Sequence, residues 1–329
     1  MSGIRRPLIV VGGLLVSAIA LYLVIRSFDV GDAAEVLARA NPAPMLGILA
    51  VVAVQVVLRS IRWSFLIPTG GAVRLRFTRL VPPMLVGYLG NAVLPARLGE
   101  PMRAVIAARR ERVGTAEAMG SVLVERVVDV ATLAPVALIG AWLVGAPGWA
   151  TALLSVTAAG GIVVLVVLTT IGVTPLVRLA DRLGLAARPG IRSVVARFAA
   201  TLGGPGRRSA ILVAAGISVA AWFLDAGSVW LAARSVGIEL EYPAAMLIAG
   251  IAVLGTAIPS APGFVGTFEL AAAGVAGALG VAEAPALAMA VLVHVMTLLP
   301  LAIGGAVSLV AMGASLGEVA HAAEASGHD

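Results

Sequence analysis

Apolar residues along this chain gather in long unbroken blocks. Six of them, at about 7–26, 44–64, 117–143, 149–171, 209–233 and 285–312, are each near the length of about 20 residues that crosses the hydrocarbon core of a bilayer as a helix. Two further stretches, about 78–99 and 243–280, are equally apolar but interrupted by proline and glycine. The strict apolar/polar alternation of a membrane β-barrel is absent. The first block resembles a signal peptide, yet it runs from Pro7 to Ile25 without a small-residue cleavage site and reads as a retained helix.

The polar residues between the blocks orient them. Arg5 and Arg6 precede the first; Arg59, Arg62, Arg74, Arg76 and Arg79 follow the second. Arg103, Arg109, Arg110 and Arg112 precede the third, and seven more arginines lie from Arg178 to Arg208. The opposite loops hold Asp29, Asp32 and Glu35, a neutral Gly145–Gly148 turn, and Glu239 with Glu241. Basic loops stay on the cytoplasmic side, so both termini are expected there. The clusters at 59–79 and 103–112 then share a side, and the stretch between them must enter and return. Pro82, Pro83, Gly87, Gly90, Pro95 and Gly99 are expected to break it into a re-entrant hairpin, which survives at membrane depth only inside protein or a water-filled cavity.

The same plan recurs in the second half. Each half has a span, a short amphipathic piece (31–40 and 175–200), a second span, a broken hairpin and a third span. Leu89-Gly-Asn-Ala-Val-Leu-Pro95 parallels Leu254-Gly-Thr-Ala-Ile-Pro259 at the two hairpins. Three crossings per half invert the second half relative to the first. The expected fold is therefore an all-α polytopic membrane protein, a single domain over 1–329 with inverted repeats at about 1–146 and 147–314 and an acidic tail at 315–329.

Composition agrees. Of 329 residues 60% are hydrophobic and 12% charged, with mean hydropathy +1.05, which leaves too few polar side chains to cover a soluble surface. Every one of the 23 basic residues is arginine, and cysteine is absent, which excludes disulfides and thiolate chemistry. No phosphate-binding loop, HExxH or paired metal-ligand spacing occurs, so neither cofactor nor metal nor enzymatic activity is expected. Nothing in the pattern suggests a nucleic-acid partner.

The charges within apolar segments are the residues with chemistry to offer. A helix restarting near Glu100 would aim unsatisfied N–H groups at the first hairpin tip, where Arg97 adds a planar fork suited to phosphate. Asn91 would supply amide contacts and Glu100 would balance Arg97; the plain alternative is an Arg97–Glu100 pair closing the loop. At the second tip, Gly263 and Gly266 permit tight turns, Gly266 or Thr267 would cap a new helix, and Glu269 in its first turn is either a cap or a gating and proton-coupling group. Ser121, Glu125 and Asp129 share one helix face with Arg126 nearby, forming either a structural ion knot with Arg59 or Arg62 or a functional one. Such a face must meet protein or water, since each charge costs about 2.5–3.5 kcal/mol at the bilayer centre. Asp225 stands alone in the fifth span, and His294 in the last is either a packing residue or a proton carrier.

These residues carry a family resemblance. Arg59-x-x-Arg62-Trp63, Gly90-Asn91-x-x-Leu94-Pro95-x-Arg97-x-Gly99-Glu100, Glu125-Arg126-x-x-Asp129 and Pro262-Gly263-x-x-Gly266-x-Phe268-Glu269 resemble the lysylphosphatidylglycerol synthase transmembrane-region, or flippase-like, family. The resemblance implies a membrane domain associated with moving lipids or lipid-linked sugars between leaflets. Synthase activity is not implied, because the soluble aminoacyl-transferase domain of the name-giving members is not present in this sequence. The expectation is a flippase of the bacterial inner membrane for an anionic phospholipid or a polyprenyl-phosphate intermediate. The rival is a membrane scaffold for a glycosyltransferase or other envelope-biosynthesis enzyme. A channel fits less well, for want of a charged ring or filter-like run.

Overall fold

The computed structural model describes residues 5–68, 74–94, 97–170, 206–258 and 260–318, together with Arg178 and Arg182. Among these, every regular element is helical: α1 (Arg5–Ser27), α2 (Val30–Ala38), α3 (Pro42–Leu66), α4 (Phe77–Val93), α5 (Gly99–Glu111), α6 (Thr115–Leu143), α7 (Gly148–Thr170), α8 (Arg207–Ser235), α9 (Tyr242–Gly255), α10 (Thr267–Ala278) and α11 (Glu283–Ala311), with a 3₁₀ turn at Pro262–Phe264. The expected spans coincide with α1, α3, α6, α7, α8 and α11. Of the amphipathic pieces, 31–40 is α2, which bends by 82° from α1. Apart from Arg178 and Arg182, the piece at 175–200 lies outside the described residues, as do Pro95, Pro259 and the tail beyond residue 318.

Four helices, α3, α7, α8 and α11, are long and apolar enough to cross a membrane, and α1 with α2 forms a bent fifth. Val156 on α7 and Val307 and Val310 on α11 are largely exposed, as lipid-facing side chains are. α6 is as long (29 residues) but carries Glu125, Arg126 and Asp129, and one face of it is buried from Ala118 to Ala141 while Val130 and Ile139 stay exposed. The protein is a multi-pass membrane protein.

Two contacts between the antiparallel α3 and α8 mark the ends of the bundle. At one end the Asn41 N–H donates to the Ser235 carbonyl at 2.7 Å. At the other, Arg207 donates to the last carbonyls of α3, 3.2 Å to Phe65 and 2.5 Å to Leu66. Arg79 near the start of α4 lies 3.2 Å from Glu111 at the end of α5, so these helices form a hairpin that opens at the Leu66 end. Helices α9 and α10 form a second hairpin that opens at the Asn41 end, where Ala284 of α11 shares a surface groove with Asn41 and Ser235. With 17 and 14 residues, α4 and α9 reach about 26 Å and about 21 Å, short of the roughly 30 Å core.

The break in the first hairpin is not where its prolines are. Pro82 and Pro83 lie inside α4, and the chain turns only after Val93. They remove the amides that would reach the Thr78 and Arg79 carbonyls, and this part of α4 borders a surface groove lined by Thr78, Arg79, Pro82, Arg110 and Glu111. The glycines do not break helices either; they let α4 and α5 touch. A Cβ on Gly99 would sit 1.8 Å from the Gly87 carbonyl oxygen, and one on Gly90 would sit 2.6 Å from the Gly99 Cα.

Candidate functional site

The tips of the two hairpins meet. Arg97, in the turn between α4 and α5, adopts a left-handed backbone (φ 55°) and sends its guanidinium across to the second hairpin. Its Nη2 donates to the carbonyl of Thr256 and, at 3.1 Å, to the Thr256 hydroxyl, while the Phe264 ring lies 5.1 Å beneath. A Cβ on Gly263 would stand 3.5 Å from the Ala92 carbonyl, which shows how closely the tips pack. Val93, Ile258 and Val265, one from the first tip and two from the second, are well exposed. The junction joins a cation to an outward apolar rim.

The expected bare amides are not there. The Gly99 N–H donates to Asn91 Oδ1 at 3.1 Å, the Glu100 N–H to the Arg97 carbonyl at 3.1 Å, and the Met102 N–H to the Leu98 carbonyl at 3.1 Å, while Pro101 has none to offer. Asn91 thus spends its carbonyl oxygen capping α5. Any attraction for an anion at this tip comes from guanidinium groups. The closing Arg97–Glu100 pair is loose, at 3.7 Å.

Behind the tip lies a continuous ionic network. Glu100 Oε1 is 3.4 Å from Arg126 Nη1, and Arg126 Nη2 is 2.9 Å from both Glu125 Oε1 and Asp129 Oδ2. Glu125 also accepts from Arg103 Nη2 at 2.7 Å and pairs in charge with Arg62 Nη2 at 2.8 Å; Arg62 Nη1 donates to Asp129 and, at 2.7 Å, to Ser218. Arg103 stacks over Trp63 at 4.7 Å. Four guanidiniums (Arg62, Arg97, Arg103, Arg126) therefore face three carboxylates (Glu100, Glu125, Asp129). Arg62, Glu125 and Arg103 are sealed, whereas Arg97 and Arg126 keep 33% and 38% of their side-chain surface open.

A second pair sits beside it. Asp225 does not stand alone: Arg59 Nη2 is 2.7 Å from one of its oxygens and Gln55 Nε2 2.5 Å from the other, while Arg59 Nε donates back to Gln55 Oε1 at 2.8 Å. Trp222 underlies Arg59 at 5.0 Å. The partners come from α3, 166 and 170 residues away, a separation at which local sequence carries no pairing information. Gln55, the sole polar residue from Val51 to Leu58, was the available signal.

At the far side of the second tip, Gly266 (φ 88°) precedes α10 and Glu269 reaches back to its N–H at 2.7 Å, which is capping geometry. The other Glu269 oxygen lies 2.5 Å from His294 Nδ1, whose ring packs on Phe268 at 4.5 Å. Ser17 of α1 accepts the Ala261 N–H at 2.7 Å, tying this tip to the first helix.

Arg103, Gln55 and Thr256 are the polar partners that the sequence did not single out. Arg59, Arg62 and Arg103, which arginine counting assigns to basic clusters and of which the first two are also candidates for the ion knot, lie within helices and make the ion pairs above. Arg74, stacked on Phe65, and Arg79, Arg207 and the arginines that end α5 keep the Leu66 end basic, while Asp29, Asp32, Glu35, Glu239, Glu241 and Glu283 make the other end acidic. Among the described residues no cluster of His, Asp and Glu has metal-binding geometry.

Comparison with known proteins places these features. The chain is 28% identical over 352 aligned residues to a protein of Haloferax volcanii described as the glycosyltransferase AglD, a match covering 95% of this chain and 56% of that relative. It thus spans little more than half of the relative's length. Residues 10–305, with both hairpins and the ionic network, match the model of the lysylphosphatidylglycerol synthase TM region. The chain belongs to that family.

Proposed function

We propose that the protein is a lipid translocase, moving an anionic phospholipid or polyprenyl-phosphate-linked intermediate between leaflets of a bacterial inner membrane. Its two halves would act as inverted repeats, at about 1–146 and 147–314, each lending a hairpin to a shared site. The observation that carries this reading is the open face of Arg97 at the hairpin junction, with exposed Val93, Ile258 and Val265 on the adjoining tips. A headgroup would meet the guanidinium while its tail stayed in lipid, and the opposed hairpins would expose the site to each leaflet in turn. Glu100, Glu269 with His294, and Asp225 are counter-charges or proton carriers in this scheme. The basic Leu66 end would face the cytoplasm with both termini.

The test is transport by purified protein in vesicles, followed with a fluorescent anionic phospholipid and a labelled polyprenyl phosphate. Wild type should move one of them faster than protein-free vesicles, and Arg97→Ala should lose that movement. Equal movement by Arg97→Ala removes Arg97 from the mechanism.

A second reading is favoured by the similarity to part of a longer protein described as a glycosyltransferase. In it the bundle scaffolds an envelope-biosynthesis enzyme and its charges are structural. Stable co-purification with such an enzyme, and no lipid movement by the isolated protein, would select this reading.

A further inference from the structure

We infer that Arg97 and Arg126 together form a two-pronged clamp for one phosphodiester anion, and that Glu100 occupies the clamp as an internal stand-in when no headgroup is bound. The inference rests on the junction being the lipid site and adds Arg126, from the third span, as a headgroup-binding residue.

The geometry is that of a poorly held ion. Glu100 Oε1 lies between the two guanidiniums, 3.7 Å from Arg97 Nη1 and 3.4 Å from Arg126 Nη1. By contrast, the sealed carboxylate Glu125 has guanidinium nitrogens at 2.7 Å, 2.8 Å and 2.9 Å. Ions that bond well close to about 2.7–2.9 Å, so the spacing around Glu100 leaves both prongs under-used. The opposite sides of both prongs are fixed. Arg97 is anchored through Nη2 on Thr256, and Arg126 through Nη2 on Glu125 and Asp129. Each therefore presents Nη1 toward the same spot without further ordering, which keeps the entropic cost of binding low. Both are also the most open members of the network, at 33% and 38%.

Charge selects the ligand. The network holds four guanidiniums, which stay protonated, against three carboxylates, an excess of one positive charge. An anion bearing a single charge and two free oxygens fits both the excess and the two prongs. That is the chemistry of a phosphodiester; it is common to lipid headgroups and to small soluble phosphodiesters. The exposed rim of Val93, Ile258 and Val265 favours the lipid source.

Binding to detergent-solubilised full chain tests this, with dihexanoyl phosphatidylglycerol, its deacylated headgroup glycerophosphoglycerol and dihexanoyl phosphatidylcholine as probes. Wild type should bind the phosphatidylglycerol more tightly than the deacylated headgroup, and more tightly than phosphatidylcholine, whose ammonium cancels the charge. Arg126→Gln should weaken phosphatidylglycerol binding by about tenfold or more, the loss of one charge-assisted hydrogen bond. Glu100→Gln should strengthen it about fivefold or more, because the competitor loses its charge while keeping its shape. Thermal melting of each variant separates misfolding from lost contact, and the opposite sign of the Glu100 effect cannot come from a damaged fold. Unchanged or weaker binding in Glu100→Gln overturns the stand-in, and unchanged binding in folded Arg126→Gln overturns the clamp. Equal affinity for the deacylated headgroup would assign a soluble ligand and overturn the lipid source. Binding as expected without movement across vesicles would leave the clamp intact and refute the translocase reading instead.

Discussion

Replacing Glu125 by glutamine is the most informative perturbation of the fold. Arg62, Arg103 and Arg126 converge on this one carboxylate, which is 2% exposed. Arg62 would keep Asp129 and Ser218, and Arg126 would keep Asp129 and Glu100. Arg103, 4% exposed, would keep one glutamine oxygen, the Met84 sulfur and the Trp63 face but no opposite charge. Breaking a buried ion pair from one side costs about 3–5 kcal/mol, because it orphans the surviving charge. With a single arginine orphaned, about 3 kcal/mol is expected, or roughly 6–12 °C of melting temperature. Asp225→Asn is the internal comparison. Asp225 is 25% exposed and its amide could still accept from Arg59, so about 1 kcal/mol, or roughly 2–4 °C, is expected. Both are read as loss of tryptophan fluorescence or monodisperse elution on heating in detergent. Adding Arg103→Met to Glu125→Gln should recover part of the loss, since the pair is coupled. A Glu125→Gln melt within about 2 °C of wild type, or a larger loss in Asp225→Asn, would refute the reasoning.

Other outcomes follow from single contacts. Gly99→Ala should abolish folded yield, judged by size-exclusion profile, because its Cβ would fall 1.8 Å from the Gly87 carbonyl oxygen and backbone cannot yield. Gly266→Ala should cost about 1–2 kcal/mol in the same melt, from its left-handed φ of 88° and the Ser17 carbonyl 3.1 Å away. Arg79→Ala should cost less than about 1 kcal/mol, since that side chain is 65% exposed. The chain has no cysteine, so single Arg79→Cys, Glu111→Cys and Arg234→Cys variants can each be probed with an impermeant maleimide in sealed vesicles. The first two should label from one side and the third from the other; labelling of positions 79 and 111 from opposite sides would make the first hairpin a crossing.

The sequence by itself determined where the helices are. Block length and hydropathy placed α1, α3, α6, α7, α8 and α11 within a few residues, because a helix that must satisfy its own backbone in lipid announces itself by an apolar run. Arginine counting also implied that the chain between the clusters turns back, and the Arg79–Glu111 contact brings the start of α4 to the end of α5; residue 99 itself lies at the tip, so the return leg is α5 rather than part of 78–99. Only tertiary structure decided what the polar residues do. Asn91 looked like a ligand group and is a cap; Pro82 looked like a break and lies within a helix; Arg103 looked like a loop charge and is buried against Glu125. Asp225 has partners on α3, and Arg97 meets Thr256 from 159 residues away. Helix formation is set by neighbours along the chain, whereas a charge in a low-dielectric interior is defined by whichever opposite charge lies within a few ångströms, and that distance exists only after the helices have packed.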